Sequence, residues 1–449
     1  MPKLDNFFKL AENNTNVRTE VIAGLTTFVT MAYIIFVNPA VLGTDFSGKP
    51  TGLDPQAVML ATSISTALAT LIMGLFARYP IAQAPGMGNN HLFVSVVMGL
   101  SAIGISNAWQ VALGLVFLSG LSFLILSLFQ VRQTILRALS PSMRSGIAAG
   151  IGLFITFIGL RNGGIIVEKP GTLVGLNVNI TSVGPMIFTF GLLVIGILHA
   201  YRIPGSILIG MLFSSVLAIA MGQVVPPGMW IGLPDIQSPA VFQLDIAGAL
   251  TIACIPFIVM FLFTDLFDTV GTLTGVSERA GFMKNGELPR AGRALVSDAV
   301  GTMAGAMLGT STVTSYIESA SGVEQGGRTG LVCVVVAAMF LLSIVFAPLI
   351  AMVASFPPIT ASALVIVGVF MAGSIRNVDW DDITESLPAF MIMVGIPLTY
   401  SIADGLALGL VGYPVLKIAS GRLRDVKWPM YIMAIAMAAY FILVRARIG

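Results

Sequence analysis

The chain alternates between long apolar stretches and short polar ones along almost its whole length. Two stretches, 107–129 and 331–353, contain no charged residue. About 20 apolar residues in a helix cross a hydrocarbon core of about 30 Å. The pattern predicts an all-α polytopic membrane protein. The apolar segments are 21–40, 57–77, 81–99, 107–129, 145–160, 184–200, 204–222, 247–272, 294–307, 311–323, 329–353, 359–373, 386–400, 403–418 and 429–446.

Two of these segments begin with stretches that are poor helix formers. The third opens with QAPGMGNNH (83–91) and the tenth with LGTSTVTSYIES (308–319), about half a chain apart. Seven segments separate corresponding positions, and an odd number inverts the second half relative to the first. Inverted repeats with paired broken helices are typical of secondary transporters. Non-helical backbone at that depth must be buried in protein or line a wet cavity, so the two breaks predict one shared cavity.

Composition agrees with the membrane prediction. Mean hydropathy is +0.94 and charged residues make up 10% of the chain, against about a quarter in soluble proteins. Cys254 and Cys333 lie inside apolar runs, which favours small core residues over a disulfide framework. The first residues contain no short apolar stretch before a cleavage site, so we expect no cleaved signal peptide.

The placement of Lys and Arg predicts the orientation. If the N-terminus is cytoplasmic, only Lys49, Arg161 and Lys169 fall outside, and nearly all other basic residues fall inside. Arg445 and Arg447 are undecided, because 429–446 is either a full crossing or partly interfacial. The inside set is Lys3, Lys9, Arg18, Arg78, Arg132, Arg137, Arg144, Arg202, Arg279, Lys284, Arg290, Arg293, Arg328, Arg376, Lys417, Arg422, Arg424 and Lys427.

Carboxylates inside apolar segments are costly and need a partner or a function. Asp265 and Asp268 share one helix face with Thr272, and Glu318 begins the helical part of the tenth segment. A helix N-terminus leaves several N–H groups free to donate. The other candidates lie in the two breaks: Gly88, Asn89, Asn90, His91 and Ser315.

This inventory suits a flat, polar, uncharged heterocycle. A carboxylate accepts N–H bonds from such a ring, while Asn and backbone N–H groups bind its acceptors. No Arg or Lys lies in the candidate segments, which disfavours an anion. Protonation of a desolvated carboxylate could be coupled to binding of the ring.

Each candidate also has a structural interpretation. Asp265 or Asp268 alone could be a helix-packing hydrogen bonder, and Asn90 could cap its helix. Aromatic residues could stack on a substrate but could equally belong to the core: Phe28, Phe93, Phe267 and Tyr316. The loop 376–386, with four acidic residues and Trp380, predicts a short amphipathic interfacial helix.

Nearly the whole chain resembles the AzgA-like purine permeases of the nucleobase:cation symporter-2 superfamily, also called the nucleobase-ascorbate transporter fold. The segments that carry the resemblance are VRTEVIAGLTTFVTMAYIIFVNP (17–39), APGMGNNHLF (84–93), DLFDTVGTL (265–273), TSYIESASGVEQGGRTGL (314–331) and VDWDDITESLPAF (378–390). The family typically has Leu, Ala and Phe where this chain has Asn89, His91 and Leu92, which bears on the choice of purine.

The resemblance implies 14 transmembrane segments in two inverted repeats of seven. It implies a core domain from 17–130 and 245–355 and a gate domain from 140–225 and 357–447. The family's substrate residues match Asp265, Asp268, Glu318 and Asn90 of this chain. It also implies purine substrates and a gate domain often used for dimerisation, so a homodimer is one expectation.

Together these observations predict a proton-coupled importer of adenine, hypoxanthine or guanine in a bacterial inner membrane, with a core that moves against a gate. Asp265, Asp268 and Glu318 would couple the proton, and Na⁺ stays open as an alternative to H⁺. No cofactor, metal, catalytic residue or nucleic-acid partner is expected, because no metal-ligand cluster, nucleophile-base arrangement or phosphate loop is present. The alternative is an inorganic anion transporter of the same fold. A channel is disfavoured, since the polar residues cluster at two breaks and one helix.

Overall fold

A computed structural model describes residues 7–128, 139–169, 171–283 and 288–442 of the 449-residue chain. The helices of the first half are α1 (Val17–Met31), α2 (Ile34–Gly43), α3 (Pro55–Ile72), α4 (Met87–Ala102), α5 (Ala108–Leu128), α6 (Pro141–Asn162), α7 (Val183–Ala200) and α8 (Ser206–Ala220). Those of the second half are α9 (Ile246–Ala249), α10 (Ile255–Arg279), α11 (Ala291–Leu308), α12 (Ser319–Glu324), α13 (Leu331–Ser343), α14 (Ala347–Ala354), α15 (Pro357–Ala372), α16 (Ile383–Thr399), α17 (Ile402–Ala419) and α18 (Trp428–Tyr440).

In the described part of the chain, eight helical stretches are long and apolar enough to cross a membrane: Val17–Gly43, Pro55–Ala77, Ala108–Leu128, Pro141–Asn162, Val183–Ala200, Ile252–Arg279, Pro357–Asn377 and Ile402–Ala419. Four shorter apolar helices, α8, α13, α16 and α18, accompany them. The prediction of an all-α polytopic membrane protein is confirmed. The inverted relation between the two halves stays a prediction.

Helix starts follow local chemistry. Ser140 precedes α6, and its hydroxyl accepts the Met143 N–H, while Pro141 occupies the first turn, where no N–H is needed. Asp54 and Pro55 form the same kind of start for α3. These caps fix where a helix of uniformly apolar sequence begins.

The two broken segments meet each other, as predicted. Strand β1 (Gln83–Pro85) pairs antiparallel with β4 (Val313–Ser315), with Gln83 opposite Ser315 and Pro85 opposite Val313. All six residues are buried. Hydrogen bonds between the strands satisfy backbone groups that lipid could not satisfy. Each strand then leads into a helical segment, α4 from β1 and α12 from β4.

The helices form two packed groups. Helices α1, α3 and α5 pack mainly on α10 to α13, and α2 and α4 pack on their neighbours in the first half. Helices α6, α7 and α8 pack on α15, and α16 packs on α6 and α17. Helices α4, α6 and α17 make contacts between the groups. The division into a core and a gate domain stays a prediction.

The structure differs from the sequence prediction in two loops. A short antiparallel hairpin of β2 (Ile166–Lys169) and β3 (Leu173–Leu176) follows α6. The predicted amphipathic helix at 376–386 is wrong: a 3₁₀ turn ends at Asn377, and α16 begins at Ile383 after Asp382 as its cap. Helix α16 begins after Asp382 because the Asp382 carboxylate accepts the Thr384 N–H at 2.9 Å and so caps the helix.

Several predictions fall partly on residues outside the described ranges. They include the end of the predicted crossing 429–446 and the last residues of the predicted domains 17–130 and 357–447. Residues 284–287, inside the predicted domain 245–355, also lie outside. The basic residues that lie outside are Lys3, Arg132, Arg137, Lys284, Arg445 and Arg447.

Candidate functional site

Gly86, between β1 and α4, brings the backbone of one broken helix against a carboxylate of α10. Its N–H donates to the Thr312 carbonyl at 3.0 Å. A Cβ at Gly86 would lie 2.6 Å from Cγ2 of Thr314 and 3.4 Å from Oδ2 of Asp268. Only glycine leaves room for this approach. The start of α4, with its free N–H groups, therefore lies beside Asp268.

Asp268 lines a cavity of about 570 Å³, which we call the Asp268 cavity. A cavity of this size is ordinary for a small-molecule site. The core side of its wall comes from the start of α4, from α10 and from Ile317. The residues on this side are Gly88, Asn89, Thr264, Phe267, Asp268, Gly271, Thr272 and Ile317. The structure thus brings together four predicted site residues, Gly88, Asn89, Asp268 and Thr272.

Glu318 lies close by, immediately before α12. Its Oε1 accepts the hydroxyl of Tyr33 at 2.8 Å, and the side chain is half-buried. Its charge interacts with that of Asp268. Tyr33, from the break between α1 and α2, was not singled out in the sequence. The chain contains many aromatic residues, and the place of Tyr33 in the sequence does not distinguish it from an aromatic residue of the core.

Behind Asp268, a second layer of buried polar groups fixes α10 to the strands. Asp265 is 1% exposed, and its Oδ2 accepts the Thr302 hydroxyl at 3.1 Å. Asp298 accepts hydrogen bonds from Gln83, Thr269 and Ser315 at 2.8, 2.7 and 3.2 Å. Ser315, a predicted substrate residue, therefore contacts Asp298.

Asn89 and Asn90 have different surroundings. Asn89 is fully buried, lines the Asp268 cavity, and neither its Oδ1 nor its Nδ2 has a hydrogen-bond partner among the described residues. Asn90 is also fully buried, but its Oδ1 accepts the hydroxyl of Ser311 and it does not contribute to the cavity wall. Asn90 does not cap α4, since Gly86 is the residue before the helix. Asn90 therefore joins the two broken segments.

His91 lies away from this group. It lines a different cavity of about 460 Å³, which we call the His91 cavity. Phe28 packs edge-on against Phe340 with ring centroids 5.2 Å apart, and it lines neither cavity. The other predicted site residues do not line the Asp268 cavity: Phe28, Asn90, His91, Asp265, Ser315 and Glu318.

The gate side of the Asp268 cavity contains polar residues that the sequence prediction missed. Arg144 and Ser145 come from α6, and Ser374 and Asn377 follow α15. Arg144 is half-buried, and its Nε has no hydrogen-bond partner among the described residues. No Arg or Lys lies in the segments that supplied the predicted site residues, but Arg144 from another segment lines the cavity. Arg144 lies far from both breaks in sequence, so only tertiary packing reveals its position.

Comparison with known proteins assigns the chain to a family. Residues 18–408 match the family described as "Permease family". The chain belongs to this permease family. The permease is therefore an integral membrane transporter and not an enzyme. Its resemblance to AzgA-like purine permeases is confirmed, since its relatives include the nucleobase transporter PlAzg2 of Paenibacillus larvae, 29% identical over 88% of the permease and 76% of that protein.

Other relatives are more similar. The permease is 46% identical to the putative permease MJ0326 of Methanocaldococcus jannaschii, with 98% of the permease and 99% of the relative aligned. It is 42% identical to the adenine permease AdeQ of Escherichia coli, over 98% and 96% of the two chains. It is 43% identical to the guanine/hypoxanthine permease PbuG of Bacillus subtilis, over 98% and 100%.

A solved structure supports the fold. The transmembrane domain of the cyanobacterial bicarbonate transporter BicA matches 88% of the permease and 97% of its own chain, with a TM-score of 0.65 and 16% identity. At that identity the likeness shows the fold alone. Among the described residues, no group of three or more His, Cys, Asp or Glu side chains could hold a metal ion.

Proposed function

We propose that the permease imports purine nucleobases, adenine, hypoxanthine or guanine, across a bacterial inner membrane together with protons. Two relatives aligned over 98% of the chain have names that specify adenine and guanine/hypoxanthine. One observation carries the proposal: beside the paired broken helices, one cavity is lined by Asp268 and Asn89, and neither polar atom of the Asn89 side chain has a hydrogen-bond partner among the described residues.

The chemistry of these groups fits a purine edge. The Asp268 carboxylate accepts N–H bonds, and the Asn89 amide can donate and accept at the same time. Purines present N–H donors next to ring-nitrogen or carbonyl acceptors. Phe267 and Phe370 add flat apolar surface to the same cavity wall. A buried amide without a partner is costly, and a bound base would remove that cost.

The positions of the two cavities support alternating access. Arg144, near the start of α6, lines the Asp268 cavity, whereas Asn162, at the end of α6, lines the His91 cavity. Asn162 lies eighteen positions after Arg144 in the helix, about 27 Å along the axis. The start of α4 lies between the two cavities. An elevator-like movement of the core against the gate would open the site to one end and then the other.

Proton coupling would use the carboxylate group around the site. Asp268, Glu318 and Asp265 are close enough for their charges to interact. Like charges at short range repel each other strongly in a poorly solvated cavity. One proton would relieve that repulsion and let a neutral base enter. Under the positive-inside prediction, the Asp268 cavity of this structure opens toward the cytoplasm.

Arg144 gives the anion-transporter alternative some support. A guanidinium in the cavity wall could bind an inorganic anion, and the bicarbonate transporter BicA shares the fold. Asp268 in the same wall and Glu318 close to it would repel such an anion. We therefore favour the neutral base.

The test is uptake of radiolabelled hypoxanthine by cells that express the permease. Glu318→Gln and Asp268→Asn should each abolish saturable uptake while the protein remains in the membrane. Glu324→Gln is the matched control, because Glu324 forms only an exposed ion pair with Arg279. Unlabelled adenine and guanine should compete in the wild type, and an uncoupler should stop accumulation. Normal uptake by the Glu318 variant, or competition by sulfate or bicarbonate alone, would refute the proposal.

A further inference from the structure

His91 lines the His91 cavity, and one of its ring nitrogens has no hydrogen-bond partner among the described residues. Its Nδ1 lies 2.8 Å from the Met87 carbonyl oxygen, so Nδ1 carries the proton and donates it there. Nε2 is then an unprotonated acceptor. It is buried, and no described residue hydrogen-bonds to it. The side chain is 1% exposed, so its polar edge has been taken out of water without a protein partner.

Two aromatic rings, those of Phe46 and Phe154, pack against the imidazole of His91. The Phe46 ring is nearly parallel to the imidazole, with an interplanar angle of 10° and centroids 6.3 Å apart. Phe154 approaches the imidazole edge-on, with centroids 6.2 Å apart. Phe46 comes from the loop after α2 and Phe154 from α6, so the predicted core and gate both contribute. Arg161 links the two sides by donating to the Phe46 carbonyl and to the Tyr400 hydroxyl.

The charge in the cavity wall limits the class of ligand. Asp45 lines the cavity, and its Oδ1 already accepts from Ser47 N, Ser47 Oγ and Lys49 N at 2.8 Å each. In the described part of the chain, the cavity wall contains the Asp45 carboxylate and no Lys or Arg, so an anionic ligand is disfavoured. One imidazole and one carboxylate that already accepts three hydrogen bonds are too few ligands for a metal site. A neutral ring with an N–H donor suits an imidazole acceptor beside the Phe46 ring, which lines the same cavity.

We propose that the His91 cavity is a second binding site, in which the permease holds a nucleobase through an N–H donated to Nε2 of His91. The inference rests on the proposed function for the identity of the ligand. Asn89 and His91 lie two residues apart on α4, about 200° around the helix, so they face opposite cavities. The base would bind His91 at one end of the permease, before or after it occupies the Asp268 cavity.

The experiment compares transport from the two faces of the membrane. Hypoxanthine uptake is measured in right-side-out and inverted vesicles for the wild type, His91→Phe and His91→Gln. Phenylalanine removes the acceptor, whereas the glutamine amide can replace it. His91→Phe should raise KM about fivefold to tenfold on one face only, because one hydrogen bond is lost there. His91→Gln should stay within about twofold of the wild type on both faces.

Gln223→Ala is the control, since Gln223 is exposed after α8 and lines neither cavity. The amount of protein in the membrane and its monodispersity in detergent report folding. An unchanged KM for His91→Phe on both faces would overturn the inference. So would an equal rise on both faces, which would place His91 at the transport site. A rise on one face with a fall on the other would indicate a shifted conformational equilibrium and would also overturn it.

The proposed function and this inference fail in different ways. Absence of saturable uptake by the wild type would refute purine transport itself. If the wild type transports hypoxanthine, the comparison of the His91 variants decides only whether the second site exists.

Discussion

At the scale of single residues, an unpaired polar atom distinguishes a ligand contact from a structural one. Asn89 and Asn90 are neighbours with the same side chain and the same burial. Asn90 bonds to Ser311, whereas Asn89 has no partner in the described structure. A buried polar group without a partner destabilises the folded protein by about 1–3 kcal/mol. A ligand that hydrogen-bonds to the Asn89 amide would remove this cost.

We predict that Asn89→Leu raises the KM for purine uptake about fivefold to tenfold, because the base loses a hydrogen bond to the amide. The family resemblance implies leucine at this position, so the variant should fold. Uptake kinetics in whole cells measure the effect. Asn179→Leu, in an exposed loop, is the control and should match the wild type. Unchanged KM values for adenine, hypoxanthine and guanine would show that Asn89 does not contact the base.

The sequence identified Asp268, Gly88, Asn89 and Thr272 correctly as neighbours, because helix breaks and intramembrane carboxylates are rare and costly. It grouped His91 with them because the residues are adjacent in the chain. Helical geometry alone predicts that His91 points away from Asn89, because positions two apart on a helix point in nearly opposite directions. Arg144 could not be found in this way, because nothing in its local sequence places α6 opposite α10.

At the scale of secondary-structure elements, the start of α16 shows how a loop prediction fails. Four acidic residues in 376–386 suggested a helix with a polar face. Asp382 instead caps α16 and binds Arg422 at 2.6 Å, and Lys417 lies 3.7 Å away. The hydrogen bond from the Thr384 hydroxyl, together with these cations, lowers the pKa of Asp382 from 3.8 to about 2.

A lowered pKa makes the ionised carboxylate a stabilising group above its unfolded pKa of about 3.8. We predict that Asp382→Asn lowers the melting temperature of the purified permease at pH 7. The difference from the wild type should shrink as pH falls from about 4 toward 2, where the folded protein also binds the proton. Thermal unfolding in detergent across this range measures it. Asp381→Asn is the control, because Asp381 is the neighbouring exposed carboxylate, and the melting temperature of this variant should match the wild type at pH 7.

The meeting of β1 and β4 depends on a residue without a side chain. We predict that Gly86→Ala lowers the melting temperature and uptake together, because its Cβ would lie 2.6 Å from Cγ2 of Thr314. The strands, and with them Asp268, would have to move. Gly412→Ala in α17 is the control, since a Cβ there meets nothing within 4 Å. Uptake and stability equal to the wild type in Gly86→Ala would mean that this contact relaxes freely.

At the scale of the whole molecule, the two cavities open at opposite ends of the same helices. The sequence predicted one shared cavity from two helix breaks, but not the second cavity, because its walls come from loops and helix ends without distinctive composition. Asn377 and Asn162 are exposed residues that line one cavity each. The native cysteines, Cys254 and Cys333, are buried.

We predict that a membrane-impermeant thiol reagent labels Asn377→Cys from one face of the membrane and Asn162→Cys from the other. Under the orientation predicted from the basic residues, Asn377→Cys reacts from the cytoplasm. Purine should slow labelling at Asn377→Cys, because a base in the Asp268 cavity covers it. Labelling in right-side-out and inverted vesicles measures both effects. Reaction of both cysteines from the same face would contradict alternating access through these cavities.

The strand pair also has a consequence for biogenesis. Gln83 and Ser315 contact each other across 232 residues of chain, so the first half of the site is synthesised long before the second. At about 5–20 residues per second, the ribosome needs on the order of tens of seconds to deliver the partner strand. During that interval the Gln83 side-chain amide lacks Asp298 and Ser315, and the Gly86 N–H lacks the Thr312 carbonyl. The insertion machinery, or transient neighbours, must therefore shield the first broken helix from lipid until β4 arrives.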